Sequence, residues 1–430
     1  MQILNPKTPG YAQKIAAFRR TYTPAPEVAQ SVAAIIEDVR ANGDKALRRL
    51  TEKFDRVALK GIRVGDDEIA RARVPAEVRS AILAARKNVK EFSLASLRKS
   101  WSRRNAQGAL VGERFDPFQR VGIYIPAGTA PLVSSAVMTV AIAAAARVPE
   151  IVAVTPPARD ENGKIPDALL VAMRLCGVTE IHRVGGAQAV AALAYGTETI
   201  RPVQKIFGPG NAYVVEAKRQ VFGRVAIDLL PGPSEVLVIA DARANPYWIA
   251  ADLLAQCEHG HGSAGILVTP SLALIRSVEK SIAKLLAQST RAREFSSLLE
   301  NTALIQVANM DAAIDLANDY AAEHVAVATV NPEAIARRLT TSGAVFLGDY
   351  SPIAVGDFLA GPSHTLPTGG ASKSFAGLTV DQFQRRTSFV RLDKKSLAAS
   401  RPAVETFGKI EGLDAHARSV TIRLGRVNTP

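Results

Sequence analysis

At 430 residues the chain is too long for one small core, and its length suggests two to four domains. With 47% hydrophobic and 22% charged residues it has ordinary globular composition, which excludes a disordered or fibrous chain. Only two cysteines occur, Cys176 and Cys257, too few for a disulfide framework; this fits a reducing compartment, and a cytoplasmic location is expected. The net charge of +13 raises two readings, a nucleic-acid-binding protein or a field that attracts anionic ligands such as a dinucleotide. The basic residues are scattered, however. Their densest cluster, 86–104 around Trp101, reads as a solvated helix face.

In chain order, the first residues show no charged region leading into an apolar core, so no secretory leader is expected. The opening 19 residues read as an arm. Apolar residues at three-to-four spacing predict helices over 26–54 and 75–100. From residue 121 the texture changes. Short β-branched runs at 121–125, 151–154, 180–184, 205–207, 225–229 and 235–239 alternate with helical stretches, the pattern of a parallel sheet covered on both faces. The alanine-rich run 131–148 is short for a membrane span and reads as a buried helix. A second block has strands at 265–269, 324–328 and 344–347, with helices at 272–288 and 332–340. A small appendage from about 378 carries a strand at 388–392 and a helical pattern from 396.

Three strand–turn–helix units stand out. Ile125-Pro126-Ala127-Gly128, Gly185-Gly186-Ala187-Gln188 and Gly208-Pro209-Gly210-Asn211 each follow a strand and open a helix. Such turns present free backbone N–H groups and a helix N-terminus, which suit a pyrophosphate. Three of them suggest one shared sheet edge.

The chain has 6 histidines, and four of them lie in short motifs that read as chemistry. Gln256 and His259 are three apart at the end of a helical stretch, a spacing that puts both on one face. With Asp357 and His416 they make a mixed nitrogen and oxygen set suited to a catalytic Zn²⁺, His364 being a further candidate. Cys257 is also a possible ligand, but on a helix it points about 100° away from its neighbour. Glu323 and His324 sit at the mouth of a strand, where adjacent side chains project differently and suit two proton-transfer roles, with His324 the natural base. The segment 356–364, holding Asp357 and His364, reads as a loop, and 411–416, holding Glu411 and His416, as a helix.

Together these motifs resemble the histidinol dehydrogenase family. The resemblance runs from about 120 to 424 and rests on 120–131, Val184-Gly185-Gly186-Ala187-Gln188-Ala189, Gly208-Pro209-Gly210-Asn211-Ala212-Tyr213, Gly232-Pro233-Ser234-Glu235-Val236, Gln256-Cys257-Glu258-His259, Glu323-His324, Gly356-Asp357, 364–368 and 411–416. It implies an α/β fold: two incomplete Rossmann-like domains with a helical N-terminal arm and a small C-terminal domain. The division it implies is 1–19 as arm, 20–123 plus 237–377 as the metal-bearing and catalytic domain, 124–236 as the NAD-binding domain, and 378–430 as a domain swapped in a homodimer.

The resemblance also implies that Gln256, His259, Asp357 and His416 hold Zn²⁺, that His324 is the general base and that Glu323 activates water. Ser234, His364 and Glu411 would contact histidinol alongside the metal and catalytic residues, and Tyr124, Gln188 and Asn211 would contact NAD. His416 and Glu411 would serve the neighbouring subunit. The implied reaction is a four-electron oxidation of L-histidinol to L-histidine through the aldehyde, with two NAD⁺, as the last step of histidine biosynthesis. No membrane or nucleic-acid partner is expected.

Ala127 stands where the family pattern has a second glycine, Cys257 where alanine is usual, and Gly369-Gly370 where an aromatic sometimes follows. The rival reading within this scaffold is a paralogue oxidising another alcohol, such as a sulfonated diol. Glu411 and His364 favour a cationic substrate instead.

Overall fold

The computed structural model describes residues 1–18, 25–127, 132–159, 163–260, 262–288 and 299–425. The strands, in chain order, are β1 (Gln2–Leu4), β2 (Trp101–Arg104), β3 (Leu110–Pro117), β4 (Arg120–Tyr124), β5 (Glu150–Thr155), β6 (Glu180–Arg183), β7 (Lys205–Phe207), β8 (Ala226–Ile227), β9 (Glu235–Ala240), β10 (Ala264–Thr269), β11 (Thr302–Gln306), β12 (His324–Ala328), β13 (Ala344–Leu347) and β14 (Gln384–Arg391). They form two parallel sheets and one antiparallel sheet.

The larger parallel sheet has six strands in the order β1-β11-β10-β9-β12-β13. Every residue of β9 is buried, as expected of a central strand covered on both faces. Its side chains alternate between two cores: Val236 and Val238 enter one, Leu237 and Ile239 the other. β1 belongs to the arm, yet it pairs in parallel with β11 and so ties the arm into this sheet.

The second parallel sheet has five strands in the order β6-β5-β4-β7-β8. The chain winds outward from β4 through β5 to β6, then returns to place β7 on the other side of β4. This reversal between β4 and β7 is where ligands bind in open α/β sheets. The alanine-rich helix Val133–Ala145 covers one face; the first residue of its expected run falls outside the described ones. Helices Gly186–Tyr195 and Ala212–Val221 cover the other.

Helices Pro26–Asp55 and Ala76–Ser96 pack on this five-stranded sheet. By packing they go with the sheet expected to bind nucleotide, whereas the sequence division grouped 20–123 with the other one. The expected boundaries at 123/124 and 236/237 also fall within β4 and β9. The basic cluster is not one helix face: the helix ends at Ser96, and Arg103 and Arg104 lie on β2.

β14 pairs antiparallel with β3, from Gln384 opposite Pro117 to Arg391 opposite Leu110, and β2 pairs on the other side of β3. Helices Lys394–Glu411 and Asp414–Leu424 then form a hairpin whose corner is Gly412, at φ 68°. A left-handed residue there ends the first helix, so the expected single helix through Glu411 and His416 is broken in two. Among the described residues no helix is long and apolar enough to cross a membrane.

Candidate active site

The amino ends of β9 and β12 bring the catalytic candidates together. His324 opens β12 opposite Val236, and Glu323 immediately precedes it. Both are buried, at 2% and 5% exposure. The Glu235 backbone N–H donates to Glu323 Oε2 at 2.9 Å, and the Ser234 side chain also hydrogen-bonds to this carboxyl. His324 Nδ1 lies 3.3 Å from the Glu235 carbonyl oxygen and 3.6 Å from Glu323 Oε2. A side chain at Gly343 would put its Cβ 2.5 Å from the Glu323 carbonyl oxygen, so glycine is what lets β13 close over this corner.

Burial raises the Glu323 carboxyl pKa to about 7, against smaller opposing effects of the Glu235 and Ser234 hydrogen bonds. Burial lowers that of His324, so its imidazole is held neutral. Two groups with opposite shifts on adjacent residues can divide acid and base work between them.

Helix Pro246–Cys257 is capped by the Asn245 side chain, with Pro246 at its first position, and runs down to this site. Gln256 is buried in its last turn, and neither amide atom has a hydrogen-bond partner. His259 lies beyond the helix end, exposed in the turn, with Nδ1 3.3 Å from the Gln256 carbonyl oxygen. The expected one-face helical pair is therefore a helix end followed by a turn. Cys257 is fully buried in the core, with Sγ 3.9 Å from Thr302 Oγ1, and does not face the site.

Asp357 lies in the short helix Ile353–Phe358 rather than in a loop, and its Oδ1 is 3.7 Å from His324 Nε2. Its charge is felt at Glu323, and it in turn feels the His324 and His259 rings. His364 does lie in irregular chain; its Nε2 has no partner, and burial lowers its pKa to about 4. It also bonds to the backbone at Ser134, beside the start of the alanine-rich helix that follows β4. Nearby, Ser363 Oγ donates to the Met138 carbonyl oxygen of that helix. The amino edge of the six-stranded sheet thus faces the carboxyl edge of the five-stranded one.

On that carboxyl edge, Tyr124 ends β4 and its buried hydroxyl accepts the Gly186 N–H at 3.1 Å. Gln188 is buried, with Oε1 unpartnered. Asn211 caps the next helix by accepting from the Tyr213 and Val214 N–H groups. Gly208 ends β7; a Cβ there would lie 2.1 Å from the Tyr124 carbonyl oxygen, a close approach that only glycine permits. The Gly128 end of the first glycine turn falls outside the described residues.

Ser234, Gln256, His259, Glu323, His324, Asp357 and His364 are thereby gathered. Glu411 and His416 are not: both are exposed on the C-terminal helix hairpin, and no described contact joins them to the cluster. Among the described residues no three His, Cys, Asp or Glu side chains converge into a metal-binding group. Sequence reasoning passed over the structural part of Glu235, whose backbone holds both Glu323 and His324 and whose Oε2 accepts the Gly369 N–H at 3.2 Å. The signal was available in the Gly232–Val236 motif, but strand register is needed to read it.

Two facing parallel α/β sheets with a buried Glu–His pair between them make the frame of an α/β enzyme. The comparisons agree. The family model described as histidinol dehydrogenase matches residues 18–424, and the chain belongs to that family. It is 44% identical to the histidinol dehydrogenase of Rhodopseudomonas palustris over 429 residues, covering 98% of this chain and 99% of that protein. It is also 44% identical to that of Geobacillus kaustophilus over 401 residues, covering 93% and 94%. The crystal structure of histidinol dehydrogenase from Elizabethkingia anophelis superposes with a TM-score of 0.94 at 36% identity, covering 100% of this chain and 99% of that one. The α/β fold read from the sequence is thus the fold of the family, and the chain is a dehydrogenase of histidine biosynthesis.

Proposed function

We propose that this chain oxidises L-histidinol to L-histidine through the aldehyde, in a reaction that needs Zn²⁺ and two NAD⁺, as a cytoplasmic homodimer. The observation that carries this reading is the buried Gln256 amide, unpartnered at both atoms, beside His259, Asp357 and the Glu323–His324 pair. A buried amide left without partners is costly unless a ligand satisfies it. A Zn²⁺ held by Gln256, His259 and Asp357, with His416 from a second subunit, fits this donor set of neutral nitrogens and oxygens. When bound it would orient the substrate and polarise its oxygen. NAD⁺, seated against Tyr124, Gln188 and Asn211 at the opposite edge, would take the hydride.

The chain's own residues handle the protons. His324, kept neutral by burial, takes the hydroxyl proton of histidinol as the carbon gives up hydride. Glu323, with its pKa about 7, takes a proton from the water that adds to the aldehyde, and His324, once it has released its first proton to solvent, receives the proton of the hydrate as the second hydride leaves. Ser234 orients Glu323, and His364, with Glu411 from a second subunit, faces the substrate's charged end. Facing sheets retain the aldehyde by closing it off from bulk solvent.

The exposed C-terminal hairpin supports a homodimer. Phe407, Ile410 and Ile422 are 63%, 75% and 62% exposed, an apolar surface that a monomer would leave in water. The domain division is proposed as two Rossmann-like units with a C-terminal unit, 378–430, that crosses to the partner.

The test is NADH formation from L-histidinol and NAD⁺ before and after chelation. Two NADH per histidinol, lost on chelation and restored by Zn²⁺, is expected. No turnover in zinc-replete protein would move the substrate to another alcohol.

A further inference from the structure

One polar group at the edge of the five-stranded sheet is outside the roles described so far. Asp55 is the last residue of helix Pro26–Asp55, which ends on Arg56 in the left-handed region. Its Oδ2 is buried and has no hydrogen-bond partner. Its charge is felt at the Tyr124 hydroxyl, so it lies close to the carboxyl end of β4. Arg159, in the chain leaving β5, acts on Asp55 as an opposing charge, and its guanidinium donates to the Phe54 carbonyl oxygen at 2.9 Å. Val57 and Pro157 converge on Gly163, where a Cβ would meet them at 2.6 and 3.9 Å. The helix end is thus anchored against the loop that leaves β5.

That place has a meaning in a doubly wound dinucleotide fold. The adenosine ribose lies beyond the carboxyl end of the second strand, where an acidic side chain accepts from the ribose hydroxyls, or an arginine accommodates a 2′-phosphate. Here β5 is that second strand, next to β4 on the side away from β7. Among the described residues, the carboxylate found beside this loop is that of Asp55, brought there from the end of helix Pro26–Asp55.

We propose that the Asp55 carboxylate accepts a ribose hydroxyl of the dinucleotide and sets the preference for NAD over its 2′-phosphorylated form. This rests on the NAD reading above. The unpartnered oxygen is an acceptor waiting for a donor. Burial raises the Asp55 pKa to about 6, as befits a carboxyl that lacks donors in the free protein. A 2′-phosphate would instead meet a carboxylate, while the cation beside it, Arg159, would suit that phosphate once the carboxylate is gone.

The experiment compares NAD and NADP with L-histidinol in the full-length protein and in Asp55→Asn, with Asp55→Ser as a second variant if the first does not fold. The expected result is about a tenfold rise in KM for NAD, with kcat at saturating NAD and KM for histidinol within about twofold. The ratio of kcat/KM for NADP over NAD should rise at least about tenfold, and Arg159→Ala in the Asp55→Asn background should cancel that gain. A merely structural loss would depress both coenzymes together and leave the ratio unchanged; that result overturns the proposal. Should the wild type turn over no histidinol, the functional reading fails, and calorimetric binding of NAD decides Asp55 separately. Weaker NAD binding by the variant supports the proposal; equal binding, or none by the wild type, overturns it.

Discussion

His324 Nε2 faces Asp357 Oδ1 at 3.7 Å, joining the first residue of β12 to a short helix that follows β13. The distance is beyond a hydrogen bond, so the carboxylate biases the imidazole by charge while staying available to a metal. It raises the His324 pKa against a larger lowering by burial, and the balance leaves the ring a neutral base.

His324→Asn should therefore lower kcat by about 10²–10⁴, the usual contribution of a positioned base, while zinc content stays full. Metal analysis alongside steady-state NADH formation checks this. A loss of zinc in parallel with activity would make His324 a ligand rather than the base.

Glu323→Gln keeps the hydrogen bond from Glu235 but removes the carboxylate proposed to activate water. Fewer than two NADH per histidinol, with aldehyde accumulating, is the expected outcome of a single-turnover measurement. Equal oxidation of histidinal by variant and wild type would end the assignment.

His416→Ala should lose metal, although His416 is exposed on the C-terminal hairpin of its own chain. Mixing inactive His416→Ala with inactive His324→Asn should restore about a quarter of wild-type activity, because half of randomly mixed dimers carry one intact site of two. No recovery after subunit exchange would mean that each site is built from one chain.

Arg120 bridges Glu150 and Glu180 at the base of the five-stranded sheet, and the Arg120 hydrogen bond lowers the Glu180 pKa to about 2 from an ordinary 4.5. A carboxylate with a depressed folded pKa adds stability that is full above the unfolded value and is lost as pH falls through the folded one. Glu180→Gln should thus lower Tm most at neutral pH, and the gap to wild type should shrink between about pH 4.5 and pH 2. A gap independent of pH would assign the loss to packing instead of charge.

Cys257→Ala should retain full zinc content and cost about 1 kcal/mol, the scale of a small cavity in a packed core. Loss of metal in that variant would contradict the orientation of Cys257 toward Thr302.

Much of this was legible in the residues alone. The period-two and three-to-four patterns located β7, β12 and β13 at their observed bounds, and the helix Leu272–Gln288 likewise, because these patterns follow from backbone geometry within one element. Glu323 and His324 were placed at a strand entrance for the same reason. β1, β2, β3 and β11 were not read as strands: β1 is three residues long, and the exposed β2 has no apolar face to give it a period.

The composition, the strand–turn–helix units and the identity of the polar residues were set by the sequence itself, since each is a property of neighbouring residues. The tertiary structure decided the rest. It put the helices of 26–96 on the five-stranded sheet, turned the amino edge of one sheet toward the carboxyl edge of the other, and brought Asp55 beside Tyr124. It also held His416 apart on its own hairpin. Such relations depend on which apolar faces bury each other across hundreds of residues, and local periodicity carries no record of that choice.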